Sequence, residues 1–472
     1  MEDSHIVSGE NERGHSVPIQ IMANSIREKL NSVSPLSEET CIYRVPKILR
    51  KVSESAYTPQ LVSIGPFHHN SGSLGNMDVH KQRYLKTYLD WYPWIKLESY
   101  LEALWGLEAR ASQCYDEFIN LNSYQFVEMM LLDGFFIIVF LLKSCYLPDR
   151  QGKDPIFDTL WMPSAIQVDM MLLENQLPFF ILEHLFNLVS VSEQGNTYPD
   201  LFDLIIHSFG GLVEKNTIPE TIDRSKVKHI LDLLRSCSIP LSTVESRQEL
   251  LRCCCVPFIS PIAKSIRDRV RSCCIPFTSS QLAESPQVDR MSKLRYSVTE
   301  LHDTGVKFKA GVSGSNCLLD LKFIDGVLEI QPLRIHDGTE PFFRNLIAFE
   351  QCHYPSSAYV TSYASFMDYL INTPKDVGLL IHHEIIENYL GDNEELSGFI
   401  NNLSKDVVLV DESYFSRDYE ELHAYCKMRQ HKWMTSLRRE YFNSPWAIIS
   451  FFAAVLLLVL TLIQSICSII SL

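Results

Sequence analysis

A histidine and a carboxylate one helical turn apart can share a divalent ion, and Ile381-His-His-Glu-Ile-Ile-Glu387 offers that spacing. The HExxH pattern is absent, because position 387 is Glu and no third ligand lies nearby in sequence. An ordinary amphipathic helix is therefore the preferred reading, and no metal is assigned. Cys253, Cys254, Cys255, Cys273 and Cys274 are thiols that could ligate zinc, but adjacent cysteines point apart and CxxC-like spacing is missing. With Arg252, Arg267, Arg269 and Arg271 beside them, and Val256, Phe258, Ile275 and Phe277 following, the chemistry they would suit is S-palmitoylation at a membrane surface. The plainer alternative is a loop with incidental thiols. His68-His69 follows Gly65-Pro66-Phe67 and reads as a turn pair that bonds backbone, not as a ligand pair. Glu174, Asn175 and Gln176 stand inside Leu173-Glu-Asn-Gln-Leu-Pro-Phe-Phe180, where they could line a pocket. The preferred role for the two amides is to satisfy backbone groups freed by Pro178. No GxxxxGK[ST], GxGxxG, GxSxG or kinase set occurs, so no catalytic residue and no cofactor is assigned.

The elements that would position these residues are mostly helical. Helical spacing of apolar residues runs from Cys41 to about Val189, through DVHKQRYLKTYLDW, LESYLEALWGLEARASQCYDEF, SYQFVEMMLLDGFFIIVFLLKS and AIQVDMMLLENQLPFFILEHLFNLV. Pro178 predicts a kink or break near Asn175–Leu177. Two further helices are expected within 200–235. The only clear strand signal is the alternation of Leu319, Leu321 and Phe323, then Asp325-Gly326, then Leu328 and Ile330. A two-residue Asp-Gly turn pairs Phe323 with Leu328 and Leu321 with Ile330 on one face, and Lys322 with Glu329 on the other. After it, Thr339 is the expected N-cap and Pro341 sits in the first turn of a helix, with more helices at SYASFMDYLI, VGLLIHHEIIENYL and EELSGFINNL. A last helix from about Asp418 should lead directly into the apolar C-terminal stretch.

The fold class that follows is mainly α (α+β), a helix-rich domain with a small antiparallel β-hairpin and one C-terminal transmembrane helix. The domain reading is 1–40 a loose N-terminal arm, in which only IMANSIREKLNSV looks helical; 41–235 a helical subdomain; 236–296 a Cys-containing linker; 297–440 a hairpin plus helical subdomain; and 446–468 the membrane helix. The linker repeats Arg235-Ser-Cys-Ser-Ile-Pro-Leu, Arg252-Cys-Cys-Cys-Val-Pro-Phe and Arg271-Ser-Cys-Cys-Ile-Pro-Phe at unequal intervals, too few and irregular for a solenoid.

Composition bounds the function. A chain of 472 residues, 46% hydrophobic and 21% charged, buries a real core. Its net charge of -15 argues against nucleic acid as a partner. Tyr441–Leu472 contains no Asp, Glu, Lys or Arg, and an uncharged stretch of this kind exceeds the roughly 20 residues that cross a bilayer core. Trp446, Phe451, Leu456, Leu460 and Ile463 mark this anchor. Lys427, Arg429, Lys432, Arg438 and Arg439 precede it, with Tyr441 and Phe442 at the interface level, and nothing basic follows. The positive-inside rule then places the body in the cytosol. The polar start MEDSHIVSGENERGHS agrees, and thirteen scattered cysteines, an odd number, suit reduced buried thiols. Met129–Leu142 is also apolar but shorter and carries Asp133 and Gly134, which predicts a core helix. Asn402-Leu403-Ser404 is a glycosylation sequon that cytosolic placement leaves unmodified.

The motifs IYRVP (42–46), PQLVSIGPFHH (59–69), HKQRYL (80–85), MMLLDGFFII (129–138) and DMMLLENQLPFFILE (169–183) occur in order. TELHDTGVKF (299–308), DGVLEIQPLRIHDGTEPFFRNLIAFEQC (325–352) and the terminal apolar stretch follow. Together, from Cys41 to about Ala454, they resemble the plant domain-of-unknown-function family 247, also called uncharacterised protein family 0481. The resemblance implies a plant source, a helix-rich domain and a C-terminal membrane helix, and supplies no reaction. Some grass members look like self-incompatibility determinants, which implies recognition between proteins. The expected function is therefore a membrane-anchored protein-protein recognition or signalling module with unidentified protein partners. The alternatives are an enzyme with an unrecognised active site, and a membrane-tethered scaffold that self-associates through Ala453 and Ala454.

Overall fold

The computed structural model describes residues 16–32, 37–70, 72, 74–146, 153–190, 200–213, 222–240, 296–311, 317–409, 414–427 and 445–470. Cys253, Cys254, Cys255, Cys273 and Cys274, most of the 236–296 linker, and the basic residues Arg429, Lys432, Arg438 and Arg439 lie outside these. The fold is mainly α with two small sheets and a C-terminal apolar helix long enough to cross a membrane. In chain order come α1 (Ser16–Ser32), α2 (Lys47–Arg50), α3 (Asp78–Trp91), α4 (Leu97–Ser112), α5 (Ser123–Tyr146), α6 (Met162–Met171), α7 (Phe179–Ser190), α8 (Leu201–Val213) and α9 (Ile230–Ser238). Then follow α10 (Val298–Asp303), β1 (Lys307–Ala310), β2 (Leu321–Ile324), β3 (Val327–Ile330), β4 (Leu333–Ile335), α11 (Thr339–His353), α12 (Tyr359–Leu370), α13 (Pro374–His382), β5 (Ile386–Asn388), α14 (Asn393–Leu403), α15 (Ser416–Lys427) and α16 (Pro445–Ile470).

A helix that is apolar all round must be covered on every side in water. This is the fate of α5, around which α3, α4, α7 and α8 pack, and whose potential spanning window Ser123–Cys145 is 83% buried. Gly134 has a reason to be on it: a Cβ there would lie 2.4 Å from Leu185 Cδ1, so the bare backbone lets α7 approach closely. At Pro178 the helical pattern breaks completely. Helix α6 stops at Met171, a loop runs through Leu172–Pro178, and α7 begins at Phe179. In the C-terminal half, α11 packs on α12 and α14 and reaches across to α6 and α9, so that buried apolar residues from Cys41 to Cys426 form one continuous cluster. Helix α9 extends the buried N-terminal half to Ser238, with Cys237 and Ser238 fully covered.

The hairpin has the expected register, with Leu321 opposite Ile330, Lys322 opposite Glu329 and Phe323 opposite Leu328. Its turn is left-handed at both central residues, Asp325 (φ 51°) and Gly326 (φ 80°). The ion pairing differs from the expectation: Lys322 Nζ bonds Asp320 at 2.6 Å, and Glu329 faces Lys309 at 3.7 Å. Lys309 is there because β1 adds to β3 in parallel, a strand too short to read from its alternation. The free edge of β2 is closed by α15, where Asp418 Oδ1 accepts the Phe323 N–H at 3.0 Å.

Several local expectations are corrected. Thr339 is the first helical residue of α11, not its cap; Gly338 takes the cap position, and the Thr339 hydroxyl accepts the His336 N–H at 3.0 Å. The stretch expected as one helix through Ile381–Glu387 ends at His382. Glu384 turns left-handed (φ 59°), and the chain continues as β5, pairing in parallel with β4. Ile385 and Ile386 are buried there, and a β-branched pair is better accommodated on a half-covered strand. Helix α15 starts at Ser416, and its expected continuation into α16 falls on residues 428–444, outside the described ones.

Gly326 carries two constraints at once: a left-handed backbone, and a Cβ position 2.7–2.9 Å from the Tyr425 ring and hydroxyl. Gly326→Ala is expected to lower stability by about 1–3 kcal/mol, measured as a drop in melting temperature of the purified chain.

Candidate functional site

The segment Gln60–Gly65 is irregular and belongs to no sheet, yet Val62–Gly65 is buried, so its backbone donors and acceptors need partners from elsewhere. The helix break at Pro178 supplies them. Asp169, in the last turn of α6, accepts the N–H groups of Gln60, Leu61 and Val62 at 2.7–2.8 Å. Burial pushes its carboxyl above the ordinary range against the pull of those amides. Asn175 accepts the Ile64 N–H at 2.7 Å and donates to the carbonyls of Val62 and Asp169, each at 2.9 Å. Gln176 donates to the Met170 and Leu172 carbonyls at 2.8 Å, bonding across its own loop. Gly65 (φ 72°) passes so close that a Cβ would sit 2.5 Å from the Gln176 carbonyl oxygen. From the opposite side Asn345 of α11 accepts the Leu173 N–H at 2.9 Å and donates to the Ala56 and Pro341 carbonyls at 2.7 Å.

Glu174 gathers charge. Its Oε1 accepts the Val45 N–H at 2.7 Å and Arg50 Nη2 at 2.5 Å, and its Oε2 takes Arg44 Nη1 at 3.0 Å and His68 Nε2 at 3.3 Å. Arg44 also lies over the Phe67 ring, 4.3 Å from its centroid. Burial raises the Glu174 carboxyl, but the His68, Val45 and Arg50 contacts prevail and hold it down at about 2. A carboxylate so fixed stays ionised near neutral pH and has little basicity for proton transfer. The structure thus brings Glu174, Asn175 and Gln176 together with Arg44, Arg50, His68 and Asp169. All three loop side chains are buried and engaged in internal hydrogen bonds.

Two further buried ion pairs tie distant segments. Lys81 Nζ meets Asp133 Oδ1 at 2.6 Å and donates to the Ser63 carbonyl at 2.6 Å, while Asp133 Oδ2 accepts the Gly65 N–H. Arg235 Nε meets Glu350 Oε1 at 2.8 Å, and Glu350 also accepts the N–H groups of Val360 and Thr361 in the first turn of α12, where the helix dipole favours an anion. None of these charges was assigned a role from sequence. The available signal was a charge embedded in an apolar run, as in MMLLDGFFII and LIAFEQC, since a charge that enters a core needs a partner. His229 is buried as a neutral ring, Nδ1 accepting the Asp232 N–H at 3.2 Å and Nε2 facing the Cys41 carbonyl at 3.1 Å. Of the earlier metal candidate, Glu387 pairs with Arg334 at 2.9 Å and lies on β5, away from any helical face shared with His382 and His383. Among the described residues no group of three or more His, Cys, Asp or Glu side chains is arranged to hold a metal ion.

Acid sensitivity follows in two stages. Burial lowers His229 to about 3 and His353 to about 4, whereas the unfolded rings titrate near 6.5. The unfolded state therefore takes up protons first, and stability falls as the pH drops below about 6.5. Glu174 is depressed from 4.5 to about 2, so its contribution is present above 4.5 and is lost as the pH falls toward 2. Melting temperature against pH should show both declines. Glu174→Gln should remove much of the lower one and destabilise the chain at neutral pH by on the order of 3 kcal/mol; a variant that melts with the parent at every pH would contradict this account.

The family described as plant protein of unknown function, DUF247, matches residues 42–460. An Arabidopsis thaliana relative, UPF0481 protein At3g47200, is 33% identical over 92% of this chain and 87% of its own length. Another from the same plant, putative UPF0481 protein At3g02645, is 24% identical over 90% of this chain and 89% of its own. No solved structure matches. With the family match spanning the Glu174 loop, the hairpin and most of the apolar helix, the chain belongs to the DUF247 (UPF0481) family of plant proteins of unknown function.

Proposed function

We propose that this chain is a single-pass membrane protein whose helical body lies on the cytosolic side and serves as a protein-protein recognition or signalling module. The observation that carries the membrane part is the contrast between two apolar helices. The α5 window is 83% buried in the body, whereas Ile449–Ile466 of α16 is 0% buried. An apolar surface of this extent needs either protein or lipid to cover it. Two of its hydroxyls are satisfied within the helix: Thr461 donates to the Leu457 carbonyl at 2.6 Å and Ser465 to that of Thr461 at 2.8 Å, as a lipid-facing helix requires. Recognition is favoured over catalysis because the polar side chains of Asp169, Glu174, Asn175 and Gln176 are engaged in holding backbone and pairing charge.

The expected result is that full-length protein resists alkaline extraction from plant membranes while a version ending at Glu440 is released. Asn402, exposed at the end of α14, should carry no glycan. A glycan there would move the body to the opposite face, and release of the full-length chain would remove the anchor. Proximity labelling from the N-terminus should return a small reproducible set of neighbours that depends on the anchor.

A further inference from the structure

The surface where α4 meets the start of α5 carries aromatic side chains that the core does not use. Trp105 is 49% exposed and Tyr124 is 77% exposed, and their rings stand 5.1 Å apart at an angle of 52°. Phe118, on the connecting loop, is 95% exposed. Gly106 beside Trp105 has open space around it. A helix places residues three, four and seven apart on one face. By that rule Glu98 and Glu102 line the face of α4 leading up to Trp105, Glu108 lies one turn beyond it, and Glu128 lies one turn beyond Tyr124 on α5. Ser123 Oγ donates to Glu108 at 3.2 Å. Among the described residues no lysine or arginine pairs with any of the four. The nearby cation, Arg110, is turned away, bonded to Glu39 and stacked on Phe180 at 4.1 Å.

We infer that this face is a docking site for a basic partner segment, an exposed stretch of another protein bearing arginine or lysine. The chemistry is selective. Unpaired carboxylates around the rings repel lipid headgroups and nucleic-acid phosphates, and a purely apolar partner would strip water from those carboxylates without replacing it. A guanidinium laid over the indole gains attraction from the ring face and finds carboxylate acceptors at its edge. The site deepens the recognition reading by naming the chemistry of the partner, and it rests on that reading.

The test is fluorescence anisotropy with a dye-labelled peptide of alternating arginine and glycine, added to the full-length chain in neutral-detergent micelles. A chain of charge -15 attracts any polycation, so the diagnostic variants alter the site without repeating that general effect. Trp105→Ala and Tyr124→Ala, which leave the charge intact, should each weaken binding about tenfold, and Glu102→Gln with Glu128→Gln by a similar factor. Glu394→Gln with Glu395→Gln, on the exposed first turn of α14, should change it by less than about twofold. Melting temperatures should match the parent because all these side chains are exposed. Absence of peptide binding, or Trp105→Ala binding as tightly as the parent, overturns the site. Unchanged proximity-labelled neighbours in the Trp105→Ala chain would likewise overturn it while leaving the recognition reading in place, since the partner would then use another face.

Discussion

Irregular backbone inside a protein core is tolerated only when its N–H and C=O groups find partners, and in this protein that requirement falls on Gln60–Gly65. The partners come from Asp169, Asn175 and Asp133, with Gln176 holding the loop that presents them and Asn345 locking that loop to α11. Asp169, Asn175 and Gln176 flank the break before Pro178, Asp133 is placed by the packing of α5, and Asn345 by α11. Withdraw Asp169 and Asn175, and the N–H groups of Gln60, Leu61, Val62 and Ile64 lose their acceptors, at about 1–3 kcal/mol for each one that is buried. The helices on both sides are arranged around that constraint.

Buried charge reinforces the same arrangement. Glu174 with Arg44 and Arg50, Lys81 with Asp133, and Arg235 with Glu350 each join segments far apart in sequence. Desolvation offsets much of the attraction within such pairs, so they add less net stability than their distances suggest. Their stronger effect is on alternatives: any register that separates the partners leaves a charge alone in an apolar interior. Glu350 illustrates the economy of the design, since one carboxylate neutralises Arg235 and also caps the first turn of α12.

The two long apolar helices differ in burial, 83% of the window in α5 against 0% in α16, and their compositions differ in step. Helix α5 includes Asp133, which is stable there because Lys81 and the Gly65 amide reach it, and Gly134, which admits Leu185. Helix α16 has exposed apolar side chains along Ile449–Ile466 and no Asp, Glu, Lys or Arg. On the outside of the body, negative charge and exposed aromatic rings coincide at α4 and α5, while interior charges are paired or, as at Asp169, held by backbone amides.

Helical content, the break at Pro178, the core identity of Met129–Leu142 and the hairpin register were all legible in the sequence, because each follows from periodicity or turn chemistry within a few residues. The Asp325-Gly326 turn is an example: a two-residue left-handed turn admits one pairing of Leu321 and Phe323 that keeps both on the buried face. The family motifs were equally legible, as a pattern of residues in order. Tertiary structure decided what those residues do. Glu174, Asn175 and Gln176 attracted notice as polar groups in an apolar stretch, but their partners at Arg44, Arg50, Val62 and Ile64 lie more than a hundred positions away in the chain. The β-conformation of Ile386–Asn388 likewise depends on β4 being beside it. Local spacing specifies the element a residue joins; whether a polar side chain in that element is left to meet a ligand or is consumed by buried backbone depends on which distant segment the fold brings against it.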